Sequence, residues 1–281
     1  MPPKRRRIKK RKKNRHLMLV LFLAVVAIFF FFEEFGKDTR KSPPVISKTP
    51  DKTRPAPKDR PSSDLPKIAI VMDDLGPNKD AAKTVFALNA PLTLSILPHE
   101  AYSEWIAKEG HRLGHKIIAH IPMEAVSPQR LGKGSLSTWM TDREIAETLS
   151  DDIRSIPQIS GVSNHMGSAF TKDERAMRAL ISELKKHRLF FLDSFTTAES
   201  VGYKLAKAEG LDALRRDVFL DNNDDLREIE AQWKRLLDIS RKKGYAIALA
   251  HPRKNTLEFL QRKLENNKEA TLIPITELLI D

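Results

Sequence analysis

The chain has 281 residues, 31% of them charged and 41% hydrophobic, with a formal net charge of +12. Ten of its 49 Lys and Arg residues lie within positions 1–16, and outside that stretch 39 basic residues face 37 acidic ones, so the positive excess is local and argues against nucleic-acid binding by the folded part. Cysteine is absent, which excludes disulfides and thiolate metal sites and leaves His, Asp and Glu as the protein ligands for any metal.

Taken in chain order, residues 1–16 form a basic head, and residues 17–32 follow without a single charge before Glu33 and Glu34. That order reads as a transmembrane signal anchor, somewhat shorter than the roughly 20 residues that span a bilayer and helped by snorkelling of Lys13 and Arg15. No small-residue cleavage site follows it, so retention is expected, with the head cytoplasmic and the rest of the chain across the membrane. Residues 33–66 hold seven of the 17 prolines and almost no large apolar side chain, the composition of an extended linker.

From Lys67 to Asp281 short apolar runs alternate with amphipathic stretches of helical length, the pattern of βα units and a parallel sheet. Strands are predicted at 68–72, 92–97, 116–119, 161–163, 189–192, 218–220, 246–250 and 271–273. The clearest helices are predicted at 141–156, where Thr141 and Glu144 make a capping box, at 172–187 and at 226–242. Seven or eight such units fit an α/β fold of the (β/α) barrel type, closed or nearly so, with an open doubly wound sheet as the alternative.

Nearly every predicted strand ends in an ionisable or strongly polar residue: Asp73 and Asp74, His120, Asn164 and His165, Asp193, Asp221 and His251. In α/β folds that edge is where active sites assemble. Two adjacent carboxylates repel unless a cation or a shared proton intervenes, so Asp73 and Asp74 point to a metal. One Asp can hold the ion while the other acts as a base toward water, and His120 and His165 can supply imidazole nitrogens, with Glu124 as an alternative oxygen ligand. An Asp after a strand commonly caps the next helix, and Asp193 and Asp221 could do only that. His111, His115 and His187 flank helices and read as surface residues, His99 as a loop residue, and His16 as part of the membrane boundary.

The segments IVMDDLG, GHKIIAHIPME, SNHMGSAFT, FFLDSFTT, RDVFLDN and AIALAHP, in this order, resemble the divergent polysaccharide deacetylase family, related to the NodB-homology carbohydrate esterases. The resemblance covers nearly all of 67–281 and implies an irregular (β/α) barrel with one divalent metal, zinc in the first instance. By it, Asp73 is the base and Asp74 a metal ligand, and Leu249 to His251 match the motif that supplies the general acid. Asp193 or Asp221 would orient His251 or Asp73. The family's paired-histidine motif maps onto His120 to Glu124, with Glu in place of the second His. Its Arg-Pro-Tyr segment is replaced by Asn164 to Gly167, so His165 is the candidate to restore the imidazole ligand. The implied activity is removal of N-acetyl groups from an envelope glycan such as peptidoglycan, on the periplasmic side of a bacterial inner membrane. The alternative is a non-catalytic protein that binds glycan or a cell-wall enzyme in the same cleft.

Overall fold

The computed structural model describes residues 65–265 and 267–279. The basic head, the anchor expected at 17–32 and the linker up to residue 64 lie outside the described residues. No helix among the described residues is long and apolar enough to cross a membrane.

Nine strands form one sheet, parallel in every pairing: β1 (Lys67–Leu75), β2 (Thr93–Ile96), β3 (Lys116–Met123), β4 (Ile159–Met166), β5 (Phe190–Asp193), β6 (Ala213–Arg215), β7 (Val218–Phe219), β8 (Tyr245–Ala250) and β9 (Thr271–Leu272). Seven helices connect them: α1 (Lys79–Phe86), α2 (Ser103–Arg112), α3 (Asp142–Ser155), α4 (Glu174–His187), α5 (Gly202–Ala208), α6 (Leu226–Lys243) and α7 (Lys254–Glu265). Helix boundaries follow local chemistry. The Thr141–Glu144 capping box starts α3, Asp173 and Asp225 cap α4 and α6, and Gly244 ends α6 at φ 91°, a left-handed conformation that costs glycine little.

The spatial order is β6-β5-β4-β3-β2-β1-β8-β7, with β9 alongside β1. The two edge strands, β6 and β7, are successive pieces of one segment. Between them the Arg216 amide donates to Asp193 O on β5 and the Asp217 amide donates to Ile247 O on β8, each at 3.0 Å. The curled sheet is bridged at this seam by the chain itself, where a continuous ladder would otherwise be needed.

Alternation along the strands sorts the core into two apolar clusters. Ile68, Ile70, Met72, Ile117, Ala119, Val162, Phe191, Ala246 and Ala248 pack against the helices. Ala69, Val71, Ile118, Leu192, Leu214, Ile247 and Leu249 line the inside of the curl, where Ile273 and Ile275 join them. Burial of each large aliphatic side chain stabilises by about 1.5–3 kcal/mol, so register is fixed from both faces.

Eight of the nine strands coincide with predicted ones, although β3 and β4 run several residues further. β6 was not anticipated. His115, expected at the surface, is buried at 6% exposure and stacks on Phe86 with ring centroids 6.0 Å apart. Its ring fills the joint between the ends of α1 and α2, and burial pushes its pKa down. His111 and His187 are exposed as expected, and His187 Nε2 lies 3.2 Å from Glu183 Oε1.

Candidate active site

The inward-facing alternation that lines the curl with apolar side chains ends in polar ones at the carboxyl edge. Asp73 follows Val71 on that face, His120 follows Ile118, His165 follows Ser163, and His251 follows Leu249. Asp74 is one residue out of phase and would point at the helices in a regular strand. A register shift between Met72 and Leu75 and a left-handed φ of 58° at Asp74 turn it to the same mouth. Such a conformation costs on the order of 1–3 kcal/mol and concentrates at functional positions.

Ligand atoms of Asp74, His120 and His165 all lie within 4.8 Å of one another. His165 Nδ1 stands 2.8 Å and His120 Nε2 3.2 Å from Asp74 Oδ1. That oxygen is buried yet has no partner in hydrogen-bonding geometry, so the two nitrogens converge on it as a ligand set would. Two imidazoles and a carboxylate suit zinc and its neighbours, and three protein ligands leave a position open for water. Ser163 Oγ lies 2.7 Å from His120 Nδ1 and 2.9 Å from Ser95 Oγ, which turns Nε2 into the site. Burial raises the Asp74 carboxyl, but the imidazoles of His120 and His165 outweigh it and hold the group well below the ordinary carboxylate range.

Asp73 is 1% exposed, and its Oδ1 has no hydrogen-bond partner. Burial pushes its pKa up, partly offset by His120 and His251. His251 Nε2 reaches to 3.7 Å from Asp74 Oδ2, while its Nδ1 lies 2.8 Å from Asp221 Oδ1. Asp221 also accepts from the His251 amide at 2.7 Å and from Thr256 Oγ1 at 2.8 Å. Burial disfavours the charged imidazole, yet Asp221, Asp73 and Asp74 together raise its pKa.

Three expected residues are occupied elsewhere. The Glu124 carboxylate accepts from Thr138 N at 2.6 Å and Thr138 Oγ1 at 2.7 Å. It tethers the loop after β3 and is absent from the ligand cluster. Asn164 faces away from the curl, accepting from Ser194 N and donating to Met166 O. Asp193 also faces the helices and accepts from Phe195 N, Ser200 Oγ and Tyr203 N, so it organises the turn into α5. Only Asp221 takes the orienting role. His99 Nε2 lies 2.9 Å from Asp152 Oδ1 and serves a loop.

Ser95, Ser163 and Arg216 were not anticipated. Their signal lies in strand parity: Ser95 and Ser163 sit on the inward faces of β2 and β4, and Arg216 continues the inward series one residue past β6.

A family model for divergent polysaccharide deacetylases matches residues 70–279. The chain belongs to this family. The uncharacterised protein YibQ of Escherichia coli K12 is 31% identical over 214 residues, which cover 76% of this chain and 67% of that one. An uncharacterised Haemophilus influenzae protein is 35% identical over 203 residues, 72% of each chain. Among solved structures, the uncharacterised protein ATU2773 of Agrobacterium tumefaciens C58 shares the fold with a TM-score of 0.73 at 22% identity, covering 77% of this chain and 90% of that one. The divergent deacetylase match spans all five residues at the mouth, from Asp73 to His251.

Proposed function

We propose that this divergent polysaccharide deacetylase is a metal-dependent hydrolase removing N-acetyl groups from an envelope polysaccharide. Peptidoglycan is the first candidate, with the domain held on the periplasmic side of a bacterial inner membrane by residues 17–32. The observation that carries the reading is the convergence of Asp74, His120 and His165 between the two remaining ionisable groups, Asp73 and His251.

A zinc ion bound by Asp74, His120 and His165 would polarise the acetamide carbonyl and lower the pKa of water. Asp73, raised by burial, accepts the proton of the attacking water. His251, whose pKa Asp221 raises, hands a proton to the departing sugar amine. The products are the free amine and acetate. Asp221 fixes the ring so that Nε2 faces the reaction, and its own hydrogen bonds to Thr256 Oγ1 and the His251 amide keep it in place.

Elemental analysis of the full chain after dialysis against trace zinc tests the reading. Near-stoichiometric metal is expected in the wild type and in Glu124→Ala, with loss in His165→Ala. Asp73→Asn should keep the metal and lose acetate release from N-acetylated oligosaccharides. Full hydrolysis by metal-loaded Asp73→Asn would overturn the assignment of the base. A wild type that takes up no metal would instead favour a glycan-binding protein without catalysis.

A further inference from the structure

Arg216 sits in the seam between β6 and β7, two residues beyond Leu214 of the inner apolar cluster, and is half-buried. Its Nε donates to Ser194 O at 2.6 Å and its Nη2 to Phe195 O at 2.8 Å. The guanidinium lies 3.9 Å over the Phe219 ring, which in turn stacks on His251 with centroids 6.1 Å apart and planes 17° apart. Two carbonyls and an aromatic face therefore fix a cation in the wall beside the candidate general acid.

These contacts use two of its five N–H groups and leave its charge unpaired. Asp193, Asp73 and Asp217 attract the guanidinium from a distance, and no carboxylate among the described residues forms an ion pair with it. Both oxygens of Asp193 are already engaged by Phe195, Ser200 and Tyr203. Burial lowers the Arg216 pKa to about 10, so it stays charged at neutral pH. The bonds to Ser194 and Phe195 use one N–H on Nε and one on Nη2. That leaves both on Nη1 and the second on Nη2, an end-on pair matching the two oxygens of a carboxylate.

We infer that Arg216 makes the mouth selective for glycans whose N-acetylated sugar carries a carboxylate substituent. This rests on the reading of the mouth as a glycan site. The acetamide would occupy the space between Asp73 and His251, and the carboxylate on the same residue would meet the free edge of the guanidinium. A neutral N-acetylated glycan would leave that half-buried charge without an anion.

Calorimetric titration of the zinc-loaded full chain with N-acetylglucosaminyl-N-acetylmuramic acid and with N,N′-diacetylchitobiose tests it, because the two disaccharides differ chiefly in the carboxylate. The wild type is expected to bind the acidic disaccharide about tenfold or more tightly than the neutral one. That ratio should collapse to within about twofold in Arg216→Gln and take an intermediate value in Arg216→Lys, which keeps the charge but not the fork. Equal affinity in the wild type, binding of neither disaccharide, or a ratio that survives in Arg216→Gln would overturn the inference. Acetate release measured on the same samples separates the two conclusions. Selective binding without hydrolysis refutes the hydrolase and spares Arg216, whereas hydrolysis of both disaccharides with equal KM does the reverse.

Discussion

Ser163→Ala isolates the support behind the candidate metal ligands without touching them. The hydroxyl is fully buried and lies 2.7 Å from His120 Nδ1 and 2.9 Å from Ser95 Oγ. Its removal leaves two buried polar groups short of a partner, at a stability cost of about 1–3 kcal/mol in the metal-free protein. The His120 ring also loses the contact that fixes which nitrogen faces Asp74. Loss of such outer partners weakens metal affinity about 10–100-fold, equivalent to about 1.4–2.7 kcal/mol. At saturating zinc the metal-induced stabilisation should shrink by that same amount. Competition with a calibrated chelator gives the affinity, and denaturant unfolding with and without zinc gives the two stabilities. An affinity within about threefold of wild type, with metal-induced stabilisation intact, would refute the argument that Ser163 sets the orientation of His120.

The His251–Asp221 pair makes stability pH-dependent in a definite direction. Burial opposes both charges, yet mutual attraction raises His251 and lowers Asp221. The His251 contribution is complete below the ordinary imidazole value of 6.5 and is lost as pH rises through the folded value, while that of Asp221 is present above 3.8 and lost in acid. The stability difference between wild type and Asp221→Asn should therefore peak between about pH 4 and 6.5, and equilibrium unfolding across that range reads it; a flat difference would refute the pairing. Asp152 has the opposite sign. Burial and Asp151 push its carboxyl up to about 8, so the fold retains a proton that the unfolded chain releases near pH 4. Asp152→Asn should gain on wild type as pH rises through this interval, and a pH-independent difference would refute that. Gly161→Ala would place a Cβ 2.5–2.7 Å from three ring atoms of Phe190, an overpacking cost of about 1–3 kcal/mol. Thermal melting should fall by several degrees, at about 2–4 °C per kcal/mol for a domain of this size.

The succession of βα units was legible because each buried strand is a short run of aliphatic residues and each long helix carries its own cap. The strand β6 escaped because Ala213–Arg215 is a three-residue piece whose partner on the other side, β8, meets only the following piece. At the site, the residues at strand ends identified the mouth but not which of them enter it. Parity supplies that second half. Asp73, His120, His165 and His251 continue inward-facing series, whereas Asn164 and Asp193 continue the series that faces the helices. Asp74 breaks parity through its left-handed backbone, a turn that no alternation rule foresees. Glu124 lies past the last residue of β3, where the Thr138 loop takes its carboxylate. His115 looked superficial because it flanks a helix, yet that position lets its ring stack on Phe86.

The first strand of the domain carries Asp73 and Asp74 and is flanked by β8 and by β9, near the other limit of the described chain. Whereas its partner β2 follows it directly, β8 and β9 are synthesised after every other described strand. Until they emerge, β1 has an open edge on one side, and Asp221 and His251 cannot take their places beside the two carboxylates. Such sequence-distant pairings form slowly. The candidate ligands on β1, β3 and β4 would then share a sheet before His251 arrives, so the three-residue cluster would form ahead of the complete mouth.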